Sequence, residues 1–400
     1  ENVELGPLEE EETGALACAH LGVESLPQAF VGFIHTRCGG NPIFIQEVLD
    51  ELRKEGRIQT GTLGWEAKLE LEDIKIPETI GDILDMRMAG LDETARRVLR
   101  RAAILGAEFD FEALCQLAGM DEEAVVDALD HILEAELLVE SDEGERCRFR
   151  NTLIQDAVLQ GMSGARRRML HKKAGFALEE LYKKSLASVA YALVRHFDRG
   201  KVPEKVALYA KVAGDMAMTS LDPALASEYY SMALRALDAI ADSADNRTLR
   251  KELLVKLAAS SDLLGHWDGA LYAYGTAVHL VEQDGDGAEA SRLHSKMARI
   301  FRKKGHWEEA MSQFETAIRL GREAGDVLAT VMAQYGMGIV HYKKGSYKEA
   351  IEEGNVCLAE LGKVTDRDTR SEYARMKRGL GATYYRLGDF DKAEEYYNCL

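Results

Sequence analysis

The chain has 400 residues, with 50 Lys and Arg against 68 Asp and Glu for a formal charge of -18, and its side chains are 46% hydrophobic and 30% charged. Such a length exceeds one ordinary hydrophobic core and predicts roughly two to four domains, while the charge excludes a chain that wraps nucleic acid or an anionic membrane through its overall field. The composition also excludes a wholly disordered chain, and no apolar run approaches the roughly eighteen residues of a membrane span.

The chain opens at Glu1 without a basic-then-apolar leader and reads as a fragment. Its six cysteines, Cys18, Cys38, Cys115, Cys147, Cys357 and Cys399, form no Cys-x-x-Cys pair. Neither a zinc site nor a disulfide framework is expected, and a reducing cytoplasm fits best. The first local pattern is Gly39-Gly40-Asn41-Pro42 ahead of Ile-Phe-Ile-Gln-Glu-Val-Leu. Proline suits the first turn of a helix, and the glycines let the backbone come close to another group. An amphipathic helix opened by Pro77 is expected over 76–91, followed by the segment 95–109 and by helices over 111–118 and 121–135. Strands are expected over 137–140 and 146–150, around the turn Ser141-Asp-Glu-Gly144. Three helices and a hairpin make a winged-helix pattern. Next come Phe149-Arg-Asn-Thr-Leu-Ile-Gln-Asp-Ala-Val158 and the basic run Arg166, Arg167, Arg168, Lys172 and Lys173. That run reads as a solvated helix face, with nucleic-acid contact as the alternative.

In the second half one unit recurs: Leu264-Gly-His-Trp-Asp-Gly-Ala270, Lys304-Gly-His-Trp-Glu-Glu-Ala310, Lys344-Gly-Ser-Tyr-Lys-Glu-Ala350 and Leu387-Gly-Asp-Phe-Asp-Lys-Ala393. The glycines are 40, 40 and 43 residues apart, and a small residue lies 12 positions before each alanine: Ala258, Ala298, Gly338 and Gly381. A helix is expected to end at each glycine, the aromatic to cover the corner, and the alanine to open a second helix against the small residue of the first, with Tyr274 and Ala277, Phe314 and Ala317, and Tyr397 and Leu400 continuing its apolar stripe. An earlier unit, Gly214 with Ala226, Tyr230 and Ala233, keeps the offset but has Leu221-Asp222-Pro223 at its corner, which makes five units. The unit resembles the tetratricopeptide repeat in a long version.

Such repeats stack into a solenoid whose first helices line a concave groove. Positions six and three before the small residue, and one and four after it, select Arg292, Ser295, Arg299 and Arg302, then Tyr335 and Tyr342, then Arg375, Arg378 and Tyr385. Two readings fit this stripe. It could hold an acidic or phosphorylated segment, or be a solvated face whose arginines pair with neighbouring Glu.

The ordered series Gly-Asn-Pro, Ile-Pro-Glu-Thr-Ile, Ala-Ala-Ile-Leu-Gly-x-x-Phe, Phe-x-x-x-Leu-Ile-Gln-Asp-Ala and Arg-x-x-Leu-His, followed by repeats, resembles the C-terminal part of a STAND-class P-loop ATPase. These signal-transduction ATPases are found in regulators related to the maltose activator and linked to kinases or cyclases. The resemblance implies a mainly α chain: a helical lid over 1–75, a winged helix over 76–160, a helical connector over 161–205 and tetratricopeptide repeats over 206–400. It implies that Gly40, Asn41 and Pro42 pack on the adenine of a bound nucleotide. It also implies that Asn151 stands where the family has a phosphate-reading His; asparagine carries no charge, so a structural role for it is preferred.

No Gly-x-x-x-x-Gly-Lys-Ser/Thr, His-Glu-x-x-His or Gly-x-Ser-x-Gly occurs in the chain. No catalytic residue, metal site or cofactor is therefore expected in this segment, with ATP or ADP and Mg expected for a full-length protein. Asp284-Gly-Asp-Gly287 starts like a calcium loop but reads as an inter-repeat turn. DNA reading is disfavoured because 121–136, the expected recognition helix, holds seven acidic residues and no Lys or Arg. The functional expectation is the regulatory, partner-binding region of a cytoplasmic nucleotide-switched ATPase, oligomerising when open. The alternatives are a non-switching adaptor, or a transcription regulator whose DNA-binding part lies elsewhere.

Overall fold

The computed structural model describes residues 6–54, 56, 58–61, 64–67, 80–141, 145–364 and 369–398. The expected helix start at Pro77, the turn 142–144 and the terminal Leu400 lie outside them. Two compact units divide between Leu181 and Tyr182, inside the stretch read as a connector.

In the first unit, α1 (Glu10–Leu21), α2 (Gln28–Cys38) and α3 (Pro42–Lys54) enclose a core of Phe30, Ile34, Ile45, Val48, Leu49 and Leu52. The antiparallel pair β1 (Ile58–Gly61) and β2 (Gly64–Ala67) follows, and then α4 (Ile80–Ala89). Next are α5 (Glu93–Leu105), β3 (Glu108–Asp110), α6 (Phe111–Ala118), α7 (Glu122–Glu134), β4 (Leu138–Ser141) and β5 (Arg146–Phe149). Asp92 starts α5 by accepting from the Ala95 N–H at 2.6 Å, and left-handed Gly119 ends α6. In β5, Cys147 and Phe149 face the core while Arg146 and Arg148 face solvent, the alternation a half-buried strand needs. The helices and hairpin expected here are present, with an added strand: β3 pairs with β5, giving the sheet order β3-β5-β4. The unit closes with α8 (Thr152–Gln160) and α9 (Gly164–Leu181). The basic run at 166–173 lies on exposed positions of α9, around buried Leu170 and His171.

The second unit is a tetratricopeptide-repeat solenoid. After α10 (Ala190–Gly200), five hairpins follow: α11 (Pro203–Thr219) with α12 (Pro223–Asp238), α13 (Ala244–Leu263) with α14 (Trp267–Gln283), α15 (Gly287–Lys304) with α16 (Trp307–Glu323), α17 (Val327–Lys344) with α18 (Tyr347–Leu361), and α19 (Arg370–Leu387) with α20 (Phe390–Asn398). Gly265, Gly305, Gly345 and Gly388 take φ values of 75°, 78°, 84° and 89°, the left-handed corner that glycine adopts without strain. Ala258, Ala270, Ala298 and Ala310 are each 0% exposed, so the twelve-residue offset is a helix-to-helix contact. In the first hairpin Leu221 takes the corner with φ of 59° and projects into solvent at 88% exposure. Gly214 there admits the Tyr230 ring, which a Cβ would meet at 2.5 Å.

Two details depart from the sequence reading. Phe390 does not cover its corner: it is 62% exposed, in edge contact with Tyr385 at 5.4 Å between ring centres. Tyr397 is 42% exposed, although its ring lies beside Gly381.

Candidate partner-binding groove

Helices α15, α17 and α19 are the first helices of successive hairpins, and their inner turns bound a cavity of about 440 Å³. Arg292, Ser295, Lys296, Arg299 and Arg302 enter it from α15, Met332, Tyr335 and Ile339 from α17, and Arg375 from α19. An adjoining hollow of about 220 Å³ shares Tyr335 and Ile339, and adds Tyr342, Met376, Leu380 and Ala382. The structure thus brings Arg292, Arg299, Arg302, Tyr335 and Arg375 to one cavity and Tyr342 to its neighbour. Arg378 is exposed beside the cavity, and its charge reaches Tyr335. Tyr385 is 60% exposed and lines neither space.

The cations are not equivalent. Arg292 is paired with Glu289 at 2.9 Å and with Asp326 at 2.5 Å, and the hydrogen bond to Glu289, aided by Asp326, holds its guanidinium above the usual range. Asp326 has a second task, capping α17 by accepting from the Ala329 N–H at 2.9 Å. Arg375 sits 3.7 Å from Glu372. Lys296, Arg299, Arg302 and Arg378 have no carboxylate partner among the described residues. Burial, and then Arg299 alongside, depress Arg302; burial likewise depresses Lys296, opposed by the pull of Glu289 and aided by Arg299 and Arg292. Lys296 Nζ also lies 5.7 Å from the centre of the Tyr274 ring. Arg302 Nε and Ser295 Oγ are buried without a hydrogen-bond partner among the described residues. Tyr335 donates to the Arg375 carbonyl at 3.2 Å, and burial raises its phenol against the opposing charges of Arg375, Arg378 and Arg302. Chemically, this is a concave, partly dry surface with excess positive charge in an acidic chain.

Lys296 was not selected by the repeat register, because it lies two positions before Ala298 and reaches the groove only through its long stem. Met332 and Ile339 occupy register positions but carry no charge to draw attention in the sequence.

The residues set against a nucleotide have other partners here. Asn41 Oδ1 caps α3, accepting from the Ile43 and Phe44 N–H groups at 3.1 and 3.2 Å, with Pro42 opening the helix. Gly40 has φ of 71°, and a Cβ on it would meet the Leu8 carbonyl at 2.3 Å, so the close approach that its sequence suggested is made by the chain's own segment Pro7-Leu8. Its carbonyl accepts from the Leu8 N–H at 2.8 Å. Asn151 accepts from the Ile154 N–H at 3.0 Å, capping α8, and donates to Glu47 at 2.9 Å. Glu47 in turn lies 2.7 Å from Arg87, both side chains being about 5% exposed; the approach is off-axis, so Arg87 Nη2 makes no well-directed hydrogen bond. Arg150 bridges Asp50 at 2.5 Å and Glu136 at 2.8 Å, and His20 meets Asp50 at 2.8 Å.

Residues 295–363 match the tetratricopeptide repeat family, and residues 9–60 match a domain of unknown function, DUF8739. No curated protein matches the chain. Among solved structures, the chain is similar to BtubC from P. vanneervenii, with 18% identity, coverage of 59% of this chain and 89% of that one, and a TM-score of 0.42. A signal transduction ATPase with numerous domains, carrying a tetratricopeptide repeat sensor, from Pyrococcus horikoshii is 12% identical over 98% of this chain and 66% of its own, with a TM-score of 0.42. A kinesin light chain with nearly identical repeats from Podosopora anserina is 14% identical over 46% of this chain and 88% of its own, with a TM-score of 0.38. Among the described residues no helix is long and apolar enough to cross a membrane.

Proposed function

We propose that this chain is the regulatory and partner-binding region of a nucleotide-switched signal-transduction ATPase of the cytoplasm, whose repeats hold a protein partner. Stacked helical hairpins present a concave face that suits a peptide or partner domain. The observation that carries this reading is the groove itself: five basic side chains line it against the single carboxylate Asp326, in a chain of net charge -18. The switch rests on the ordered sequence motifs, read as a lid over 1–75 and a winged helix over 76–160. In this reading lid and winged helix close over ATP or ADP supplied with Mg by a P-loop core outside these residues, and partner binding in the groove favours an open, oligomerising state.

A second reading, a non-switching adaptor, is favoured by one specific feature. Asn151, Asn41 and Gly40 spend their polar atoms and space on helix caps, Glu47 and Leu8. Neither reading needs DNA: α7 bears Glu122, Glu123, Asp127 and Asp130 on exposed positions, which repel phosphates.

Quantitative affinity capture with the chain and with its Arg299→Glu, Arg302→Glu variant tests the partner reading. Proteins enriched by the parent and lost with the variant support it. Equal capture by both would move the partner site to the convex face. Calorimetry with ATP and ADP separates switch from adaptor once a P-loop core is joined ahead of Glu1: micromolar binding that changes with groove occupancy supports the switch, and unchanged binding supports the adaptor.

A further inference from the structure

The groove has two chemically distinct compartments that share a wall, and that pairing narrows the partner. The larger, bounded by α15, α17 and α19, contains Lys296, Arg299 and Arg302, none with a carboxylate partner among the described residues, and the unsatisfied hydroxyl of Ser295. Its one carboxylate, Asp326, is committed to Arg292 and to the cap of α17. The smaller is bounded mainly by Ile339, Tyr342, Met376, Leu380 and Ala382, with Lys343 also in its lining. Tyr335 and Ile339 belong to both, so one ligand can enter both at once.

We infer that the groove recognises an extended peptide carrying a phosphoryl group, held by Lys296, Arg299 and Arg302, with a neighbouring apolar side chain in the hollow beside Tyr342 and Leu380. The inference rests on the partner-binding reading above. A carboxylate carries one charge, whereas a phosphoryl group carries about -1.5 to -2 at neutral pH and three acceptor oxygens, which matches three uncompensated cations and a spare hydroxyl donor. Two planar guanidinium forks can each take two of those oxygens, and the lysine adds a point charge. Partial burial of Lys296 and Arg302 strengthens their contacts relative to water. Lys343 and Thr383 stand in the lining of the smaller hollow, but a free phosphate ion has no use for its apolar wall of Ile339, Met376, Leu380 and Ala382, so the peptide is the occupant that satisfies both spaces.

Short degenerate peptides with a fixed central phosphothreonine, labelled with fluorescein, provide the probe, and the matching pool with unmodified threonine is its control. Fluorescence anisotropy on the full chain is expected to show the phosphorylated pool bound at least about tenfold more tightly. Arg299→Gln with Arg302→Gln should remove that preference, and Ala382→Phe, which fills the hollow, should weaken both pools by a common factor. Thermal unfolding checks that each variant is folded, and Lys296→Gln is a milder second test should the others fail that check. Equal binding of the two pools overturns the phosphoryl assignment and leaves the partner reading standing. Inorganic phosphate that binds as tightly as the phosphorylated pool overturns the peptide assignment. If neither pool binds, the inference fails; the partner reading fails with it only if affinity capture is also indifferent to reversal of Arg299 and Arg302.

Discussion

Asn151 and Glu47 lie 104 positions apart in the chain and are joined by a 2.9 Å hydrogen bond from Nδ2 to Oε1, while Asn151 Oδ1 caps α8. One side chain therefore starts a helix and satisfies one oxygen of a buried carboxylate. Asn151→Ala should cost the first unit about 1 to 3 kcal/mol, from the lost cap and the bared Glu47 acceptor. Asn151→Asp should keep the cap but set one carboxylate against another. Because adjacent carboxylates favour protonation of one of them, its loss of stability should shrink as pH falls from neutrality towards the unfolded-state value of about 4, whereas the alanine variant should track the parent. Urea unfolding at two pH values distinguishes them.

Glu47 also balances Arg87, which is buried with it. Removing Glu47 leaves buried Arg87 with only the more distant Glu136 carboxylate at 3.9 Å, so Glu47→Ala should destabilise the first unit by about 3 kcal/mol. Glu47→Met combined with Arg87→Met should cost less than the single change, because neither charge is then stranded. A double variant less stable than Glu47→Ala would mean that the pair itself stabilises the unit.

Gly336 on α17 admits the fully buried Phe314, and a Cβ there would meet its ring at 2.3 Å. Gly336→Ala should destabilise the solenoid by about 1 to 3 kcal/mol through overpacking. Gly269 on α14 has nothing within 4 Å of a Cβ, so Gly269→Ala should stabilise it by about 0.5 to 1 kcal/mol through helix propensity. Thermal melts of the two variants should shift in opposite directions.

Asp215 on α11 is a pH-dependent contact in the second unit. Burial would raise its carboxyl, but hydrogen bonds from Lys256 at 2.7 Å and Tyr230 at 2.8 Å, with the charges of Lys256 and Lys211, outweigh that and hold it below the usual range. A depressed folded-state pKa contributes stability above the unfolded value, about 3.9, and the contribution is lost as pH falls through the folded value. Acidification from neutrality to below pH 4 should therefore destabilise the parent more than Asp215→Asn. Identical acid profiles would contradict the assignment.

The repeat half was legible because its contacts are local and periodic: a glycine, an aromatic and an alanine recur at the spacing of Gly305, Trp307 and Ala310 in every later hairpin, and Ala298 and Ala310 share one buried cluster. The register also named Arg299, Arg302 and Tyr335, which share the larger cavity. It did not reveal that Arg292 is neutralised by Asp326, since that aspartate belongs to the next hairpin and looks like an ordinary helix cap. Strand β3 has 3 residues, too short for alternation to show. The contacts of Asn151 with Glu47, and of Gly40 with Leu8, depend on tertiary packing that no local pattern encodes.

The account's central claim, that the cationic groove is the partner-binding surface, is tested most directly by calorimetric titration of a captured partner into three proteins: the parent, Arg299→Glu with Arg302→Glu, and Arg319→Glu. Arg319 is an exposed residue of the second helix α16 that does not line the groove, paired with Glu323 at 3.0 Å. The groove variant should bind more weakly by roughly 2 kcal/mol or more, with thermal unfolding checking that reversal of the half-buried Arg302 leaves it folded, and Arg319→Glu should bind like the parent. Parent-like affinity in the groove variant, or an equal loss in Arg319→Glu, would contradict the claim.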